Sequence, residues 1–175
     1  MIELIFVIVI LGILAAVAIP RLSATRDDAE IAKIATNLST LISDIGGYYT
    51  SQGNFGTLSQ MSNVYIEGAS TAVPTDTAAA TGTLTAAGKK CLAFSLKAEK
   101  SDPVAADAKR IPAHFVLTAG TDAAEAICKK VINDPEVQKI ITATFIPKKY
   151  DDSKKEWVND AATTGLQITG LSVVR

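Results

Sequence analysis

Residues 1–20 read MIELIFVIVILGILAAVAIP, and from Leu4 to Ile19 no side chain is charged or strongly polar. As a helix this stretch would be roughly 30 Å long, close to the hydrocarbon thickness of a bilayer, so it can span a membrane. Ala16-Val17-Ala18 also fits the small-residue cleavage pattern of a secretory signal peptide. Against that reading, Glu3 stands where such a peptide carries Lys or Arg, and Pro20 follows close behind the cut. The helical pattern also continues past it. Apolar residues recur at Ile31, Ile34, Leu38, Leu41, Ile42, Ile45 and Tyr48 or Tyr49, spaced by three and four, which is one face of an amphipathic helix.

Arg26, Asp27, Asp28, Glu30, Lys33, Asn37 and Asp44 fall on the opposite face, where Arg26 and Glu30 can pair. The spacing predicts one helix of about fifty residues that leaves the membrane and offers its second half to a globular domain. Gly46-Gly47, then Gly53 and Gly56, end it between Ile45 and Gln52, nearer Gln52. The chain divides into an apolar helix over 1–25, its amphipathic continuation over 26–52 and a head over 53–175.

Composition restricts the function classes. Seventeen basic and eighteen acidic residues leave a net charge of −1, so no global field attracts nucleic acid or acidic substrates. The mean hydropathy of +0.25 is high for a domain of this size and comes mostly from the first twenty residues. Cys91 and Cys128 lack the spacing of a metal site; a single disulfide is the economical reading, and it implies an oxidising compartment. There is no G-x-x-x-x-G-K, H-E-x-x-H or G-x-S-x-G pattern, which removes the common nucleotide, zinc and serine-hydrolase readings. The one histidine, His114, has no acid or cysteine at ligand spacing and is expected to be structural. No enzyme and no cofactor is expected.

The stretch from Ile2 to Pro20, with Glu3, Gly12 and Pro20 at these spacings and an amphipathic helix after it, resembles the N-terminus of mature type IV pilins and type II secretion pseudopilins. The resemblance covers about the first fifty residues, the length of the helix read above. It implies a structural subunit, inserted in the inner membrane and then drawn into a helical filament at the cell surface, for adhesion, motility or DNA uptake. Implied partners are further copies of the chain, the inner membrane, a prepilin peptidase and the pilus assembly machinery, whose ATPase supplies the energy.

By the same resemblance Glu3 neutralises the α-amine of an adjacent subunit and checks register, while Gly12 and Pro20 weaken the helix so that it bends or unravels. The resemblance also places an N-methylated phenylalanine two residues before the position of Met1, after a short basic leader. These residues are therefore expected to be a truncated mature form, with Met1 as initiator the alternative. A type II secretion pseudopilin is the second reading, and a membrane-anchored binding domain that does not polymerise is the third.

The remainder reads as an α+β head with four or five antiparallel strands. Leu92, Phe94 and Leu96, then Phe115 and Leu117, then Ile141, Ala143 and Phe145 alternate as strands do. A further hairpin is expected where a strand ending near Tyr150 turns through Asp151-Asp152-Ser153-Lys154 and returns as Glu156-Trp157-Val158, and a last strand runs through Leu166 and Ile168 to Leu171 and Val173, with a bulge at Gly170. Asp122 and Glu125 resemble a capping box for a short helix that carries Ile127, Cys128 and Val131 and ends before Pro135. A Cys91–Cys128 bond would clip that helix to the sheet.

Residues 68–90, rich in Thr, Ala and Gly, read as a surface loop. Asp151, Asp152, Asn159 and Asp160 carry oxygens of the kind calcium takes, but the spacing is not an EF-hand, and a hairpin turn accounts for the first pair. The doublets Lys89-Lys90, Lys129-Lys130, Lys148-Lys149 and Lys154-Lys155 read as a solvated surface; a nucleic-acid partner has no other support.

Overall fold

The computed structural model describes residues 2–101 and 108–168. The architecture is α+β: one long helix with a head packed on its second half. Helix α1 spans Ile2–Gln52, 51 residues, and its end is marked by the Gly53 amide donating to the Tyr49 carbonyl at 2.8 Å. It runs through Pro20 without interruption. Proline removes one hydrogen bond from the ladder, and long self-supporting runs of helix lie on both sides.

The head follows in order. Short helix α2 (Leu58–Met61) starts where the Gln60 side chain accepts from the Thr57 amide at 2.9 Å. Strands β1 (Ala80–Ala86), β2 (Lys89–Lys97), β3 (Lys100–Ser101), β4 (Lys109–Ile111) and β5 (His114–Ala119) come next. Helices α3 (Ala126–Ile132) and α4 (Pro135–Ile141) precede β6 (Thr144–Phe145), β7 (Lys148–Asp151), β8 (Glu156–Asn159), β9 (Thr163–Thr164) and β10 (Leu166–Gln167).

The principal sheet has four strands in the order β1-β2-β5-β10, all antiparallel. Its inner face sets Leu84 opposite Leu92, Phe94 opposite Leu117 and Leu96 opposite Phe115, with the Phe94 and Phe115 rings stacked 5.0 Å apart. Ile34, Leu38, Leu41 and Ile45 of α1 are each no more than 1 % exposed and join that face, together with Val131 and Val137, in one core. A second four-stranded sheet, β3-β4-β7-β8, and the pair β6-β9 lie outside it.

Several expectations are corrected. Residues 80–90 are not loop: β1 puts Ala80, Gly82, Leu84 and Ala86 inward and Thr81, Thr83 and Thr85 outward, and closes on β2 through Ala87 and Gly88, both at positive φ. Turns with two such residues match the twist of a hairpin. Ile141 does not begin a strand but ends α4. Pro135 is the first residue of that helix, where its missing N–H costs nothing, and Asp134 caps it by accepting from the amides of Glu136 at 3.0 Å and Val137 at 3.3 Å.

The capping box at Asp122 and Glu125 is absent. Glu125 occupies the N-cap position without a side-chain bond to the helix amides, and Asp122 instead accepts from the Lys90 amide at 2.8 Å, tying the α3 approach to β2. Cys91 lies on β2. Gly170, Leu171 and Val173, expected to continue β10, lie outside the described residues.

Candidate functional site

The two halves of α1 meet opposite environments. Fourteen large apolar side chains between Ile2 and Leu22 are exposed, from Ile10 at 41 % to Ile2 at 85 %. At roughly 1.5 kcal/mol each, covering them is worth on the order of 20 kcal/mol, more than the 5–15 kcal/mol that holds a whole domain together. A helix of this kind is not left in water. By length and composition this half of α1 can cross a membrane.

Glu3 is the single charged residue between Ile2 and Pro20 and lies in the first turn of α1, where a carboxylate also complements the helix dipole. Gly12 sits mid-way along it. A methyl group added there would meet no atom of this chain, so nothing inside the subunit requires glycine at that position. Pro20 closes the apolar run. Glu3, Gly12 and Pro20 thus occupy one bare helical segment, but they are not brought together at a single point.

The boundary between the halves is held by an ion pair. Lys130 Nζ of α3 lies 2.8 Å from Asp27 Oδ2, and that hydrogen bond holds the ammonium above its usual pKa. Sequence reasoning placed Asp27 on an exposed face with Arg26 and Glu30; the observed partner is 103 residues away. Cys91 and Cys128 are bonded, with Cα atoms 4.7 Å apart and both side chains buried. Ion pair and disulfide together fix α3 between α1 and the principal sheet.

No family model, no curated protein and no solved structure matches this chain. The reading of the site therefore rests on its own geometry.

The other residues singled out in the sequence are dispersed. His114 opens β5, with Nδ1 2.9 Å from the Pro112 carbonyl and its ring against Phe145. Asp151 Oδ1 accepts from the amides of Ser153 and Lys154, at 2.9 and 3.3 Å, and so shapes the β7–β8 turn. Asp160 pairs with Lys109 at 2.9 Å, and the Lys109 hydrogen bond holds its carboxyl below the usual range. Among the described residues no cluster of three or more His, Cys, Asp and Glu side chains is arranged to hold a metal ion.

The lysine doublets sit on β2, α3, β7 and the β7–β8 turn. Lys89 pairs with Glu125 at 3.2 Å and Lys90 with Glu67 at 3.1 Å. What sequence reasoning missed is Arg110, whose guanidinium lies 4.1 Å from the centre of the Trp157 ring. The two residues are far apart in the chain, and no local pattern pairs them.

Proposed function

We propose that the chain is a non-catalytic filament subunit of the type IV pilin kind, held in the inner membrane by the first half of α1 before assembly and packed helix against helix afterwards. The observation that carries this reading is the contrast within α1: one continuous helix, buried along a stripe from Ile34 to Ile45 and bare on every side before Leu22. A plain anchor needs only apolar length. Glu3 is costly at membrane depth and gains a role when a neighbouring subunit supplies a positive charge, because only a matched pair offsets desolvation.

Gly12, which no contact within the subunit demands, suits close approach of a neighbouring helix or local softening of α1. Further copies of the chain, a prepilin peptidase and an assembly ATPase are the partners this reading requires, and the extracellular filament is its final location.

The test is Glu3→Ala in cells that express the chain, with incorporation measured by quantifying the subunit in sheared surface filaments. Incorporation should fall sharply while the membrane-inserted pool is unchanged. Equal incorporation would sink the pairing role of Glu3. A chain that never enters filaments and extracts as a monomer is the membrane-anchored domain instead.

A further inference from the structure

Strands β4 and β7 set two pairs of cations directly opposite one another: Lys109 faces Lys149, and Arg110 faces Lys148. Like charges in that position destabilise a sheet unless a counter-ion lies between them. The first pair has one. Asp160 reaches Lys109 at 2.9 Å, and Lys149 adds to the field on its carboxyl. Strand alternation also puts Asp151 and Glu156 on this face.

The opposite face carries Arg110, Lys148, Tyr150, Trp157 and Asn159, and none of these is acidic. Among the described residues, the ion pairs leave both Arg110 and Lys148 without a carboxylate. Arg110 is nonetheless held in place. It lies over the Trp157 ring at 4.1 Å, and Tyr150 meets that ring edge-on at 5.5 Å. Its Nε is buried and has no hydrogen-bond partner, so the terminal nitrogens are the donors left to meet an anion. A guanidinium fixed on an aromatic face beside a second cation is preorganised for a single oxyanion.

We propose that Arg110 and Lys148 form a subsite for one carboxylate of an acidic polysaccharide, the group that Asp160 supplies from within the chain to the cation pair on the opposite face. Asn159 and Tyr150, on the same face, add neutral hydrogen-bonding groups suited to sugar hydroxyls. Nucleic acid fits less well: two cations give a salt-dependence slope of only about −1.4 for a single strand, too few contacts to follow a phosphate backbone. The elements that pack most on α1 are α3, β1 and α2, none of them in this sheet. A filament with α1 at its centre would carry the sheet on its outside. That outward placement rests on the filament reading; the subsite does not.

The test is calorimetric titration of the full chain in dodecyl maltoside micelles with an oligogalacturonate, beside a neutral maltooligosaccharide and an oligothymidylate of equal charge. The oligogalacturonate should bind, and losing one charge-assisted contact in Lys148→Gln or Arg110→Gln should weaken it about tenfold or more. Lys149→Gln, which removes the same charge from the other face, should leave binding unchanged. Because Arg110 also supports the Trp157 ring, Lys148→Gln decides.

Absence of binding, equal loss in Lys149→Gln, or full binding by Lys148→Gln overturns the proposal. Tighter binding of the oligothymidylate also overturns it, in favour of a nucleic-acid site. Lys148→Gln should enter filaments as the parent chain does. Loss of filaments by the parent chain with oligogalacturonate binding intact would strike the filament reading and leave the subsite standing.

Discussion

Truncating Leu41 to alanine probes the division of labour along α1. Leu41 is 0 % exposed, at the centre of the stripe that meets the sheet. The change removes three carbon atoms, worth about 2.4 kcal/mol in lost transfer energy at about 0.8 kcal/mol each. A cavity cost adds to that, because α1 cannot close the gap while α3 is tied to the sheet through Cys91–Cys128 and to α1 through Lys130–Asp27. A total near 3–4 kcal/mol is expected, within the usual 2–5 kcal/mol range.

The assay is urea unfolding of the full chain in micelles, followed by the fluorescence of its single tryptophan, Trp157. With a slope of about 2 kcal/mol per molar urea, the midpoint should drop by about 1.5–2 M. Leu11→Ala, at a site 58 % exposed, should move the midpoint by no more than about 0.3 M while reducing filament incorporation. Equal shifts from the two variants would refute the claim that α1 has one half for the head and one for neighbours.

Reducing the Cys91–Cys128 bond, which closes a separation of 37 residues, should cost about 4 kcal/mol, visible as a fall in the melting temperature on adding reductant. An unchanged melting temperature would show that the clip adds nothing. Gly82→Ala should destabilise the head by about 1–3 kcal/mol, because the new methyl group would overlap Ile66 and crowd Phe94; urea midpoints measure this, and an unaltered midpoint contradicts the packing.

The carboxyl of Asp160 is lowered by Lys109, so its contribution is present above the unfolded carboxylate pKa and lost as pH falls through the lower folded value. A melting curve measured against pH should decline below about pH 4, and Asp160→Asn should flatten that part of the decline. Lys130 is raised by Asp27, so its contribution holds below the unfolded lysine value and disappears only as pH rises through the higher folded one.

The features legible in the sequence are those encoded by period and by punctuation. The three-and-four spacing from Ile31 to Ile45 gave the buried stripe of α1, and Leu92, Phe94 and Leu96 gave the central strand, because large apolar residues mark a core face unambiguously. β1 escaped because its inward residues are mostly small: Ala80, Gly82 and Ala86 fill a face where Phe94 already takes up the space. The alternation with Thr81, Thr83 and Thr85 was there to be read, as was the two-residue turn at Ala87-Gly88.

The end of α3 before Pro135 was legible, but the start of α4 at that same residue, capped by Asp134, was not read. The bare apolar helix was legible in the sequence, since it needs no tertiary partner within the chain. The Arg110–Trp157 contact and the Lys130–Asp27 pair were not, because each depends on a register set by distant elements.

The central claim is that the uncovered half of α1 is a surface for other copies of this chain. Cryo-electron microscopy of filaments sheared from cells expressing it, at a resolution that traces helices, tests this most directly. The account predicts filaments built of this chain with residues 2–22 of every subunit bundled at the axis, away from water, and the head at the surface. Filaments that lack the chain, or that place this half of α1 outside the axis, would contradict it.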